Sequence, residues 1–258
     1  MSAAIASPTL DVSGTKPVPM SRLIKVEMRK MGDTRAGFWL LASIGIISAL
    51  VITGFFIWGK SGDRTFLDLM SYGGIPLGFL LPVLGILLIT QEWGQRTALV
   101  TFTQTPHRGN VILAKFVAAM LFALAGLTVV AIVAVPLSLV GGAAQPFDDL
   151  SAAGMARILL GFSIGIVWGL AFGAAFLNSA FAIVLYFVVP TIISIVSGIW
   201  TAAQDKLLWF DLNSSSGKLF DPAGISGQEW AQLGTGLLLW VVLPGAFGIW
   251  RILRSEVK

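Results

Sequence analysis

Residues 158–204 read ILLGFSIGIVWGLAFGAAFLNSAFAIVLYFVVPTIISIVSGIWTAAQ, 47 residues without a charged side chain. As one straight helix this run would extend about 70 Å at 1.5 Å per residue. A bilayer core is about 30 Å thick and needs about 20 apolar residues of helix to cross it. The run must therefore cross twice, and Asn178-Ser179, its one polar break of consequence, marks the turn. Outward from it, the uncharged runs Gly37–Trp58, Leu69–Thr90, Phe116–Phe147 and Ala231–Trp250 each supply one more crossing. The expected fold is all-α: a polytopic membrane protein with six transmembrane helices, at about 37–58, 68–90, 111–140, 155–177, 180–203 and 230–250.

Composition agrees. Hydrophobic residues make up 56% of the chain and charged residues 12%, against about 25% charged in soluble proteins. A single transmembrane domain, 19–258, leaves no room for a soluble catalytic domain. Residues 1–18, rich in Ala, Ser, Thr and Pro, read as a disordered tail. The first span is longer than the apolar core of a cleavable signal peptide, and no small-residue cleavage site follows it.

Loop charge sets the expected orientation. With six spans, the side holding both termini and the 91–115 loop carries 12 of the 17 Lys and Arg residues and five acids, a net +7. The other side carries five basic residues and eight acids, a net −3, so the positive-inside rule places both termini in the cytoplasm, with the plasma membrane as the expected location. The basic balance follows from topology, and no nucleic-acid partner is implied. Met20–Met31 alternates Met20, Leu23, Ile24, Met28 and Met31 with Arg22, Lys25, Glu27, Arg29 and Lys30, the pattern of a basic amphipathic helix in the cytoplasmic interface.

Several functions are excluded by inventory. There is no cysteine and one histidine, His107, so thiolate chemistry, His-based metal sites and Ser-His relays cannot be built. Neither catalytic nor metal-binding residues are expected, and no cofactor on this chain. Gly54-Phe-Phe-Ile-Trp-Gly59-Lys60-Ser61 matches the phosphate-loop letters. That loop needs a preceding strand and small residues whose amides reach phosphate, and here two Phe, an Ile and a Trp end a membrane span. No membrane-buried charge is expected within a span, the charges at Asp68, Lys115 and Arg157 falling near span ends, and no internal repeat is visible, which disfavours ion-coupled carriers. Gly161, Gly165, Gly169 and Gly173 form an i, i+4 ridge suited to close helix packing, within the chain or with a second copy. Lys206–Gln228 is too polar to span and is expected to form a small external cap of short helices.

The loop between spans two and three carries the most information. From Glu92 to Lys115 it is long for a passive connector. Thr97 can cap a short helix, Leu99, Val100 and Phe102 supply an apolar face, and Pro106 stops it by forcing Thr105 out of helical geometry. Asn110 can then cap span three. A short helix on the membrane surface is suited to docking another protein.

Glu92, three residues, Arg96-Thr97, then Thr105-Pro106-x-Arg108 and Lys115 resemble the permeases of type-2 ABC transporters, and the C-terminal run from Trp230-Ala-Gln-Leu to Arg251-Ile-Leu-Arg-Ser-Glu-Val-Lys258 resembles actinobacterial members. The likeness extends to the interfacial helix, the six spans, the outer cap and the short basic end. It departs at Arg96, where many members carry Gly before the Thr. The resemblance implies that this loop forms a coupling helix seated in a separate cytoplasmic ATPase subunit, with ATP and Mg bound there. It further implies pairing with a second permease, identical or related, in contact with membrane lipid. Glu92, Arg96, Thr97, Thr105, Pro106 and Arg108 are the implied polar and turn-forming residues of that contact, and Phe102 its apolar anchor. The chain would then be an exporter subunit and not itself an enzyme. The alternative is a non-transporting scaffold or immunity subunit that binds a partner through the same loop.

Overall fold

The computed structural model describes residues 18–60, 64–105, 107–148, 150–221 and 223–254. Six helices are long and apolar enough to cross a membrane. In chain order these and their companions are α1 (Met20–Asp33), α2 (Arg35–Trp58), α3 (Phe66–Gly94), α4 (Ala98–Gln104), α5 (Arg108–Val140), α6 (Ala152–Phe176), α7 (Ser179–Ile199), α8 (Gln204–Leu207), α9 (Leu212–Gly217), α10 (Gly227–Leu237) and α11 (Leu243–Arg254). The last two continue one another through a π-helical turn, Leu238–Val242. Among the described residues there is no strand, and the protein is an all-α, multi-pass membrane protein. The expected tail lies almost wholly outside the described residues.

Helices α3 and α6 form the centre of the bundle, and α2, α7 and the α10–α11 pair form its rim. Lipid is a good solvent for apolar side chains, so burial between spans has to come from close packing and not from exclusion of water. The rim accordingly leaves Phe38, Leu50, Ile57, Val184, Ile192 and Ile195 exposed. The α6 ridge packs within the chain. A Cβ at Gly169 would collide with the Pro82 backbone, one at Gly173 with Ile89, and one at Gly161 with the Phe220 ring. Gly165 has more room, its nearest neighbour being Pro82 at 3.6 Å.

Between spans four and five the chain turns at Leu177, held in the left-handed region at φ 53°. Asn178 caps α7 by accepting from the Phe181 amide at 3.1 Å. Pro76 and Pro82 lie inside α3 without ending it, because neighbouring protein can compensate a missing backbone donor. Gly54 sits well within α2, with no strand before it. The phosphate-loop resemblance thus has a helix where the chemistry needs a strand, while Ser61 lies outside the described residues.

Candidate functional site

The loop expected between spans two and three is mostly helix. Span two continues to Gly94, and span three begins at Arg108. Glu92 and Lys115, assigned to a polar loop by sequence, are therefore helix residues, and both are buried. The N-cap position of span three is held by His107, which makes no side-chain capping bond, and Asn110 lies in the first helical turn.

The turn after α3 is a Schellman motif. The Thr97 amide donates to the Glu92 carbonyl at 2.9 Å, and the Arg96 amide to Trp93 at 3.3 Å. Such a turn requires a left-handed residue after the helix, usually Gly. Here that residue is Arg96, at φ 56°. The sequence position where the resemblance departs is thus the one where the backbone is strained. Thr97 holds the N-cap position of α4, but its hydroxyl makes no capping bond. Its ψ of 0° lies outside the extended geometry that aims a side chain at the following amides. Thr105 is non-helical, at φ −131° and ψ 89°; Pro106 lies outside the described residues.

Beneath α4 lies a four-membered charge network. Lys115 Nζ on α5 donates to Glu27 Oε2 on α1 at 2.7 Å and to the Leu88 carbonyl on α3 at 2.8 Å, and it lies 3.3 Å from Glu92 Oε1. Lys30 Nζ on α1 donates to Glu27 Oε1 and to Glu92 Oε1, each at 2.7 Å. Thr101 of α4 donates its hydroxyl proton to Glu92 Oε1 at 3.3 Å. Two ammonium groups face two carboxylates, so the group is neutral as a whole. Burial alone would lower the Lys30 pKa, but the pull of Glu27 and Glu92 and the hydrogen bonds to both outweigh it and raise it. Lys30 thus stays charged throughout the physiological range. Buried ion pairs contribute little net stability against an apolar alternative, but losing one member leaves a charge without a partner. The network therefore acts as a register: it locks α1, α3, α4 and α5 into one relative placement.

Glu92 is thus turned inward, and so is Phe102. The Phe102 ring is buried beside Trp93 (centroids 6.4 Å apart), with the Arg108 guanidinium 4.8 Å over its face. It anchors α4 to its own bundle. Arg108 also donates to the Ile252 carbonyl at 2.7 Å, tying span three to span six. Of the coupling residues named from sequence, Arg96 and Thr97 are exposed, and Thr105 and Arg108 are partly buried. The apolar groups that α4 presents outward are Leu99 and Val100. Beside them a cleft of about 520 Å³ opens between α1 and α4, with Val26, Arg29, Asp33, Gln95, Val100 and Gln104 in its walls.

The amphipathic pattern puts Glu27 and Lys30 among the polar residues of α1, yet Glu27 is buried. The signal that could have found Glu27 is its spacing: it falls between Ile24 and Met31 on the stripe that also holds Met20. Among the described residues no group of His, Cys, Asp and Glu could hold a metal ion. Neither a scan of protein-family models nor a search of curated proteins finds a match to this chain.

Proposed function

We propose that this protein is the permease subunit of an ATP-driven exporter of the type-2 ABC class, with α4 as its coupling helix. In this reading the chain lies in the plasma membrane with both termini in the cytoplasm. It pairs with a second permease, identical or related, and a separate ATPase binds ATP and Mg. Closure of the ATPases pushes on α4 and α1, and the spans rearrange to open a path.

One observation carries the reading. A seven-residue surface helix exposes Leu99 and Val100 on one side and is joined on the other to spans two and three through Phe102 and the buried charge network. A push on the outer side would be delivered to two spans at once, through Trp93 and Glu92 of α3 and Arg108 of α5. A connector with no mechanical role would need neither the exposed apolar pair nor the buried carboxylate beneath it.

Purification of the chain with its candidate ATPase tests this. The complex is expected to hydrolyse ATP in a vanadate-sensitive way, and Leu99→Asp with Val100→Asp is expected to dissociate it. A stable complex in which neither turnover nor cargo movement responds to the permease would overturn transport in favour of a scaffold.

A further inference from the structure

A groove of about 330 Å³ runs along the half of the bundle that holds α4 and the inner end of span six. Its floor is Ile89 of α3 with Leu170, Ala171 and Ala174 of α6, all buried. Its rims are Phe116 of α5 and Val242 and Ile249 of span six, all exposed, so it opens sideways onto the surface that faces lipid. Every residue in its wall is apolar. The backbone of span six shapes one side. Pro244 has no N–H, and just before it the Leu243 amide donates to the Leu238 carbonyl, five residues back. Consecutive residues of that π-turn, Val241 and Val242, both stand in the groove wall; such turns recur at functional sites.

The length of the groove and the charge at its end together say what fills it. From Val241 to Ile249 the wall runs about 12 Å at 1.5 Å per residue. That is close to half of a bilayer core about 30 Å thick, the depth of one leaflet's acyl chains. Water gains nothing from such walls, and apolar cavities stay dry. At the α4 end the surroundings turn basic. Arg108 lies one turn before Ile112 on the i, i+4 stripe Arg108, Ile112, Phe116 of α5, and it joins α5 to α11 by donating to the Ile252 carbonyl at 2.7 Å. Arg254 is exposed and lays its guanidinium over the Trp250 ring, 5.2 Å from the centroid. Here the ends of spans three and six carry Arg108, Arg251, Arg254 and Lys258 against Glu256, four positive charges less one negative, a net +3. The N-terminus of α5 adds the positive end of its helix dipole. A neutral or zwitterionic lipid would leave that charge unanswered, whereas an anionic phosphodiester answers it.

We propose that this groove is a binding site for an anionic phospholipid, one acyl chain laid between α5 and span six and the phosphate held at the Arg254 end. The lipid wedges spans three and six apart over the floor that α3 and α6 provide. The site rests on the membrane-spanning fold and not on an ATPase partner, and it needs no assumption about which way the chain faces.

The test uses the full chain in dodecyl maltoside micelles, titrated with dioleoylphosphatidylglycerol or dioleoylphosphatidylcholine and read by native mass spectrometry. The first phosphatidylglycerol is expected to bind at least about tenfold more tightly than the first phosphatidylcholine, since several basic residues face its head group. It should also raise the unfolding midpoint. Ala246→Phe fills the groove from its rim and should abolish this tight class. Arg254→Gln should reduce the preference for phosphatidylglycerol about fivefold, the factor usual for one basic residue near an anionic head group, and leave phosphatidylcholine unchanged. Both side chains are exposed, so both variants should fold; an unchanged midpoint without added lipid verifies it. Glycerol 3-phosphate in excess should not displace the lipid, because it has no chain to hold the groove. Equal affinity for the two lipids overturns the proposal, as does displacement by glycerol 3-phosphate, which would mark a plain anion site. So does a tight class retained in Ala246→Phe, or full preference retained in Arg254→Gln. None of these outcomes touches the ATPase experiment, so the two readings fail separately.

Discussion

Replacing Lys115 with Met removes one charge from the network while nearly keeping the volume. The Lys115 side chain is 3% exposed, and Nζ makes a 2.7 Å bond to Glu27, a 2.8 Å bond to the Leu88 carbonyl and a 3.3 Å contact with Glu92. After substitution Glu27 and Glu92 share only Lys30, so one buried negative charge is left over. Breaking a buried pair from one side costs about 3–5 kcal/mol, and Lys115→Met is expected in that range. Lys30→Met should cost less, about 1–2 kcal/mol, because its side chain is 30% exposed and water can replace part of the loss. Adding Glu27→Gln to Lys115→Met restores the charge balance between Lys30 and Glu92. The double variant should therefore be more stable than additivity predicts, with a coupling energy of about 2–3 kcal/mol. Equilibrium unfolding in mixed micelles, run as a double-mutant cycle, measures all three values. A Lys115→Met cost below about 1 kcal/mol, or an additive cycle, would refute the view of the network as one closed neutral unit.

Three further predictions follow from the same geometry. Arg96→Gly should stabilise by about 0.5–1 kcal/mol, since Gly relieves the left-handed strain but gains freedom when unfolded; Arg96→Ala, still strained, should show no such gain in the same assay. Gly165→Ala should be close to neutral, whereas Gly169→Ala, whose methyl would enter the Pro82 backbone, should cost more than about 2 kcal/mol or prevent recovery of folded protein; equal effects at the two sites would contradict the packing of α6 on α3. Leu99→Asp and Val100→Asp should each change unfolding free energy by less than about 0.5 kcal/mol, because both side chains are exposed. Their effect should appear in ATPase co-purification, and retained binding by both variants would remove α4 as the docking element.

The six crossings, their approximate ends and the turn at Asn178-Ser179 were legible in the sequence, because a hydrocarbon solvent demands long uncharged runs of helix. The amphipathic α1 and the stop before Pro106 were legible for equally local reasons, helical spacing and proline sterics. The burial of Glu27, Glu92 and Lys115 was not. A charge near a span end reads as solvated until another helix is known to lie over it, and that packing joins residues 62 and 88 positions apart. The same holds for Phe102, whose apolar character fits either an outward anchor or an inward one; only its contact with Trp93 and Arg108 decides. At Arg96 the sequence marked an odd residue, and the backbone supplied the reason. Local chemistry therefore determined which segments are membrane helices and where they end. Which charges neutralise one another and which face α4 presents were decided by tertiary packing, because burial and pairing belong to neighbours in space.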